Sequence, residues 1–361
     1  MVVVRWFHFS FGLLGLGLTA CQQAYPQPLS PPAPLPQAPH IQAYFNQVLS
    51  SRYTDPYRQQ ERPGDDFEQI LINAIASAQT SIDVAVQEFR LPRVAQALRD
   101  RQQAGVQIRV ILENTYSQPY SAYLPEQIAQ LPEREKNRYD EAIRLIDQDG
   151  DGQLSPTEIT ERDALIVLDQ ADIPRIDDTA DGSAGSNLMH HKFMVVDGKT
   201  VISTSANWTM SDVHGDLKTA KSRGNANNLL QVENSELAAA FTNEFNLMWG
   251  DGPGRRPDSR FGTKKPYRSA QLVKVDDVLV QVQFSPSSRA IPWQYTTNGL
   301  IGRTLQRAKE SINFALFVFS DQQLVNRMEP LHQSGVEIRA LIEPGFAFRP
   351  YRTHLGSWKM G

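Results

Sequence analysis

The sequence predicts an α/β protein made of a duplicated lobe, each copy a mixed β-sheet flanked by helices. The second copy is expected to be incomplete, and a helix–loop–helix is inserted into the first. Three observations predict this: a β-α-β alternation near the start of the folded region, its return 230 residues later, and an acidic loop between the first copy and the next strands.

The first unit begins at Asp65 or Asp66, which caps a helix. Its apolar positions Phe67, Ile70, Leu71, Ala74, Ile75 and Ala78 follow the 3.6-residue period. The strand SIDVAVQEF, a helix around Arg93–Gln103 and the strand VQIRVIL after Gly105 complete a βαβ unit, which implies a mainly parallel or mixed sheet. Residues 305–343 align with 75–113 without a gap. Ala78, Ser81, Ile82, Ala85, Phe89, Gly105, Val106, Ile108, Arg109 and Glu113 recur as the same residues at 308, 311, 312, 315, 319, 335, 336, 338, 339 and 343. The boundary falls in 251–269, rich in Gly, Pro and basic residues; it reads as a solvated linker or as a segment facing phosphate.

Length and charge bound the function. A chain of 361 residues with 40% hydrophobic content supports one large or two medium domains, and a net charge of −4 argues against a nucleic-acid coat protein. The single cysteine, Cys21, excludes an intrachain disulfide. An apolar run from Trp6 to Ala20 follows Arg5 and ends in Leu-Thr-Ala-Cys, which resembles the lipobox of bacterial lipoproteins. That resemblance implies a signal peptide over 1–21, acylation of Cys21, and a lipid anchor on the outer face of an envelope membrane. The proline-rich 22–40 then forms a tether. The remaining divisions are a first lobe over 41–250, with its insertion at about 133–170, and a partial second lobe over 270–361.

The insertion holds Asp147–Glu158, DQDGDGQLSPTE, which matches an EF-hand loop. Asp147, Asp149, Asp151, the Gln153 carbonyl, Ser155 and Glu158 stand at the ligand positions, and Gly152 at the sharp turn. Alternating hard oxygen donors suit Ca2+, in a site expected to be structural. Tyr139, Ile143 and Ile146 give the entering helix, and Ser155-Pro156-Thr157-Glu158 caps the exiting one.

Residues 189–208, MHHKFMVVDGKTVISTSANW, read as a β-hairpin about the Asp197-Gly198 turn. A two-residue turn pairs positions whose numbers sum to 395. This register sets His190, Lys192, Ser205 and Asn207 on one face, and His191, Phe193, Val195, Ile202 and Thr204 on the other. The shared face carries what an anionic phosphodiester requires. Neutral His190 attacks phosphorus to give a phosphohistidine, Lys192 offsets charge on the non-bridging oxygens, and Ser205 and Asn207 donate hydrogen bonds. Asp197 either orients a histidine or serves the turn. His191 is expected in packing, and His214 in a satisfied loop position.

His190-x-Lys192-x4-Asp197 followed by Thr204-Ser205-x-Asn207 resembles the HKD motif of the phospholipase D superfamily, and the duplicated unit resembles that family's two lobes. The resemblance covers about 65–350. Two positions depart from the family pattern: Thr204 stands where glycine is usual, and Asn227 where glutamate is frequent. The resemblance implies a phosphoric diester hydrolase needing no cofactor for its chemistry, with a second histidine from a second motif as general acid/base. A matching hairpin in the second copy would fall near 420, past Gly361, so the site is expected to be half-formed unless a homodimer completes it. Three functions stay open: a phospholipase D-like enzyme on phospholipids, a nuclease of the same fold, and a catalytically impaired phosphate- and calcium-binding protein.

Overall fold

The computed structural model describes residues 30–183, 189–219 and 221–347. The expected signal peptide, Cys21 and the first part of the expected tether, 22–29, lie outside the described residues. Among those described, no helix is long and apolar enough to cross a membrane.

The first lobe opens with β1 (Ile41–Phe45), a short hairpin of β2 (Arg52–Thr54) and β3 (Glu61–Pro63), and α1 (Phe67–Ser77). The Asp66 side chain accepts from the Gln69 N–H at 3.0 Å and so caps α1. The βαβ unit follows as β4 (Ser81–Val86), α2 (Pro92–Gln103) and β5 (Gln107–Leu112). Four short helices come next: α3 (Pro125–Gln130), α4 (Glu133–Ile146), α5 (Pro156–Arg162) and α6 (Ala164–Gln170). The lobe closes with β6 (Arg175–Asp177), β7 (Lys192–Val196), β8 (Thr200–Thr204), α7 (Met210–Val213), β9 (Asn228–Glu233) and α8 (Ser235–Trp249).

These strands form one seven-stranded mixed sheet, in the order β1-β9-β8-β7-β4-β5-β6. β4 lies at its middle, parallel to β5 and antiparallel to β7. Layers on both faces explain why β4 is buried at both phases of its pleat. Ile82, Val84 and Val86 face a core built with Leu71, Ile75, Leu98, Leu165 and Leu168, from α1, α2 and α6. Ala85, Ile111, Phe193 and Val195 face Phe241, Phe245, Met248 and Trp249 of α8. The inserted segment is therefore not a detached module, because α6 belongs to the main core.

The second part begins with the hairpin of β10 (Gln271–Val275) and β11 (Val278–Val282), whose Val273 and Val275 extend the α8 core. Then come α9 (Thr297–Leu305), β12 (Ser311–Leu316), α10 (Gln322–Gln333), β13 (Glu337–Ile342) and α11 (Pro344–Ala347). The repeat holds to the residue. β12, α10 and β13 each start 230 positions after β4, α2 and β5, and the registers Ser81↔Gln107 and Ser311↔Glu337 coincide. Even a cross-strand pair is retained: Arg109 is bidentate to Asp83 at 2.7 and 2.8 Å, and Arg339 donates to Asn313 at 2.7 Å. The second copy differs in its cover. β12 and β13 form a sheet of two strands, with a small core of Ile312, Met328 and Val336.

The β7–β8 hairpin corrects the expected register. Phe193 pairs with Ser203 and Val196 with Thr200, a sum of 396 rather than 395. The turn spans three residues, closed by the Lys199 N–H on the Val196 carbonyl at 2.9 Å, with Asp197 and Gly198 both at positive φ. One extra loop residue moves β8 by one position, and every side chain on it changes face. Ile202 therefore packs with Met194 in the α1/α2 core, and Ser203 lies on the Phe193 side. The same register carries Thr204 onto the Lys192 face, against expectation.

Candidate active site

β7 enters the sheet beside the C-terminal end of β4, with Lys192 opposite Val86 and the Gln87 N–H bonded to the His191 carbonyl at 3.1 Å. Lys192 is buried. Its Nζ donates to Gln87 Oε1 at 3.1 Å and to the His190 carbonyl at 3.2 Å. Burial lowers its pKa to about 8; Asp212 and Glu88 oppose the fall, and Arg138 adds to it. His190 sits at the rim, just before the strand, with an exposed side chain. Desolvation, then Lys192 and His191, push its imidazole down to about 4, against Asp212. At neutral pH the pair is thus a neutral imidazole beside an ammonium. A cavity of about 280 Å³ adjoins this strand end and opens largely on the α8 side, being lined by His191, Phe193, Ser203, Phe241 and Phe284 as well as by His190, Lys192 and Thr204.

β8 ends at Thr204, and its pleat does not deliver Ser205 and Asn207 to Lys192. The chain bends instead, and Trp208 forms a parallel bridge with Phe89, its N–H on the Glu88 carbonyl at 3.0 Å. This bend carries Asn207 toward the end of β4 that holds Lys192. Ser205 is turned to β9: its Oγ donates to Asn227 Oδ1 at 2.8 Å and accepts from the Asn228 N–H at 3.1 Å.

Asp197 lies at the opposite end of β7. Its carboxylate accepts the N–H groups of Gln79, Thr80 and Ser81 at 2.8, 2.7 and 3.0 Å, and the Thr80 hydroxyl. Burial would raise its pKa, and these donors hold it low instead. The geometry thus gives Asp197 the work of tying the hairpin turn to the start of β4.

His191 points to the other face. Its Nε2 is 3.0 Å from Glu244 Oε1, and its ring packs edge-on to Phe193 and Phe284. Glu244 is also bound by Lys265 at 2.5 Å and by Arg268. His214 is fully buried between Tyr53 and Glu68, at 2.9 and 3.0 Å.

Three contributors escaped the sequence reading. Gln87 holds Lys192, Arg138 of α4 pairs with Glu88 at 2.6 Å, and Asp212 of α7 is buried next to the motif. Gln87 carried a weak signal, as a polar residue ending an otherwise apolar strand. Asp212 was masked by its neighbour His214.

The acidic loop joins α4 to α5, with Ser155 and Glu158 forming a reciprocal capping box. Oxygens of Asp147, Asp149 and Asp151 lie within 4.8 Å of one another. Gly150 and Gly152 donate to Asp147, and Glu158 accepts from the Gln148 N–H at 2.6 Å and from Ser155. Gln153 and Ser155 lie within the same loop. The three aspartates thus offer clustered oxygen donors of the kind a hard cation takes, while both Glu158 oxygens are held by the Gln148, Asp149 and Ser155 donors and Glu158 stands outside that cluster.

The sheet thus sets an imidazole beside a buried amine at the start of β7. Residues 71–249 match the family model described as cardiolipin synthase, PLD-like domain. A mitochondrial cardiolipin hydrolase from Danio rerio is 39% identical over 61 residues, 17% of this chain and 23% of that protein. One from Xenopus laevis is 25% identical over 183 residues, 51% of this chain and 60% of that protein. The chain thus spans less than two thirds of the length of these curated relatives. A solved structure of a phospholipase D family member, Nuc from Salmonella typhimurium, aligns at 18% identity and a TM-score of 0.34, covering 60% of this chain and 97% of that one. Through residues 71–249 the chain belongs to the phospholipase D superfamily.

Proposed function

We propose that the protein is a phosphodiesterase that hydrolyses phospholipid diesters, with His190 as nucleophile. The observation that carries this reading is the pairing of His190 with Lys192 at one strand end, each held in the protonation state the chemistry needs. An imidazole nitrogen of His190 forms a bond to phosphorus as the bond from phosphorus to the leaving oxygen breaks. The alkoxide takes a proton from a general acid, and water then cleaves the phosphohistidine. Lys192 offsets charge on the non-bridging oxygens throughout. Asn207 is the candidate amide donor to those oxygens. An anchor at Cys21 would hold the site at a membrane surface, and the names of the relatives favour lipid over nucleic acid.

The test is hydrolysis of cardiolipin or phosphatidylglycerol vesicles, with an oligonucleotide as the competing substrate, across a pH series. Activity on vesicles is expected to rise as pH climbs through about 4, where His190 becomes neutral, and to fall through about 8, where Lys192 loses its charge. Cleavage of the oligonucleotide alone would overturn the lipid reading. A rate still rising past the Lys192 titration would remove Lys192 as the required cation.

For the acidic loop we propose Ca2+ binding by Asp147, Asp149, Asp151, the Gln153 carbonyl, Ser155 and Glu158. Calorimetry is expected to give saturable heat at or below about 1 mM calcium, lost in Asp147→Asn. No heat in that range would overturn it.

A further inference from the structure

We propose that Asp212 is the positioning acid of this site, fixing the Asn207 backbone and supplying the negative charge that Lys192 and His190 face. The proposal rests on the phosphodiesterase reading and assigns it a residue outside the motif.

Asp212 lies on α7 and is only 8% exposed. Its carboxylate accepts the Asn207 N–H at 2.8 Å and Asn225 Nδ2 at 2.5 Å. Its backbone carbonyl accepts Asn46 Nδ2 at 2.9 Å and Asn227 Nδ2 at 3.0 Å. Asn46 in turn accepts the Asn227 N–H at 2.8 Å. Asparagines from the end of β1 and from the approach to β9 therefore converge on one residue of the segment after the hairpin. Two glycines permit the approach. Gly215 and Gly224 both have positive φ, and a Cβ on either would overlap backbone of the facing segment. Asn227, where the family's glutamate is frequent, serves here as part of this clamp.

The partners are all neutral. Among the described residues no cation forms an ion pair with Asp212, and burying a carboxylate this way is unfavourable unless nearby positive charge offsets it. The groups that feel it are those of the site. Lys192 feels the charges of Asp212 on α7, Glu88 beyond β4 and Arg138 on α4, with His190 just before its strand; Asp212 is first among the charges supporting its protonation. It also opposes the depression of His190. Further out, Glu88 and Glu141 on α4 feel its charge as repulsion. Through one carboxylate, the same residue keeps the cation charged near neutral pH and holds Asn207 in place.

The test is Asp212→Asn, which keeps the shape and one of the two acceptor oxygens but removes the charge, paired with Asp212→Glu, which keeps charge and both acceptors. Competitive acetylation of the full chain, read by mass spectrometry across pH, reports the Lys192 titration without turnover. In Asp212→Asn the midpoint is expected to move to lower pH, so that Lys192 labels about fivefold faster at pH 7. The alkaline limb of kcat/KM on phospholipid vesicles should move with it, lowering kcat/KM about fivefold at pH 8 and little at pH 6. Asp212→Glu should keep the wild-type midpoint. An unmoved midpoint in Asp212→Asn, or one displaced equally in both variants, overturns the proposal. Wild type inactive on every diester, with the labelling shift intact, would overturn the enzymatic reading and leave the charge assignment standing.

Discussion

His190→Ala should abolish phosphodiester turnover, by at least about a thousandfold, because the proposed mechanism routes the covalent bond to phosphorus through this imidazole. The variant should still fold. His190 lies before β7 with its side chain exposed, whereas its neighbours Met189 and His191 pack into the α8 side of the molecule. With a diester labelled at phosphorus, wild type quenched in alkali should retain label on protein and His190→Ala should not. Label that persists in the variant, or a rate within tenfold of wild type, would remove His190 as the nucleophile.

Glu244→Ala should cost about 3–5 kcal/mol of stability, since it strips the counter-charge from a buried ion cluster. Glu244 is buried in α8 and receives His191, Lys265 and Arg268 together, and Lys265 is itself buried. Burial alone would raise its pKa, but its hydrogen bond from His191 and the charge of Lys265 hold it at about 2. A carboxylate near 4.3 in the unfolded chain and about 2 when folded contributes stability fully present above the unfolded value. That contribution is lost as pH falls through the folded one. Wild type should therefore weaken between roughly pH 4 and pH 2, and Glu244→Ala should lose that portion of the acid response. Urea denaturation at pH 7 and pH 3 measures both; a loss below about 1 kcal/mol at pH 7 would mean the cluster is solvated.

The sequence made the architecture legible because burial repeats with the fold. The β4–α2–β5 alternation and its recurrence at β12–α10–β13 could be read from apolar spacing alone. The hairpin's place in the chain was legible for the same reason, but its register was not. Asp197-Gly198 reads locally as a two-residue turn, while the observed loop also includes Lys199 and is tied to Gln79, Thr80 and Ser81, more than a hundred residues earlier. The partners of His191 and Asp212 escaped notice on similar grounds. Glu244 is fifty-three positions from His191, and Asn46 comes from the other end of the lobe. An aspartate in the first turn of a short helix resembles a cap until its surroundings are known.

The identical registers of the two copies turn the chain into its own reference. Ile111 and Leu341 occupy the same rung of the same parallel ladder, opposite Ala85 and Ala315. Yet Ile111 is 0% exposed beneath α8 and Leu341 is 72% exposed. The pairing between the two strands is thus held constant, while α8 and the flanking strands β7 and β6 accompany only the first copy. The difference between matched truncations at these two positions measures what that helix and those strands contribute together, with no second protein required for comparison.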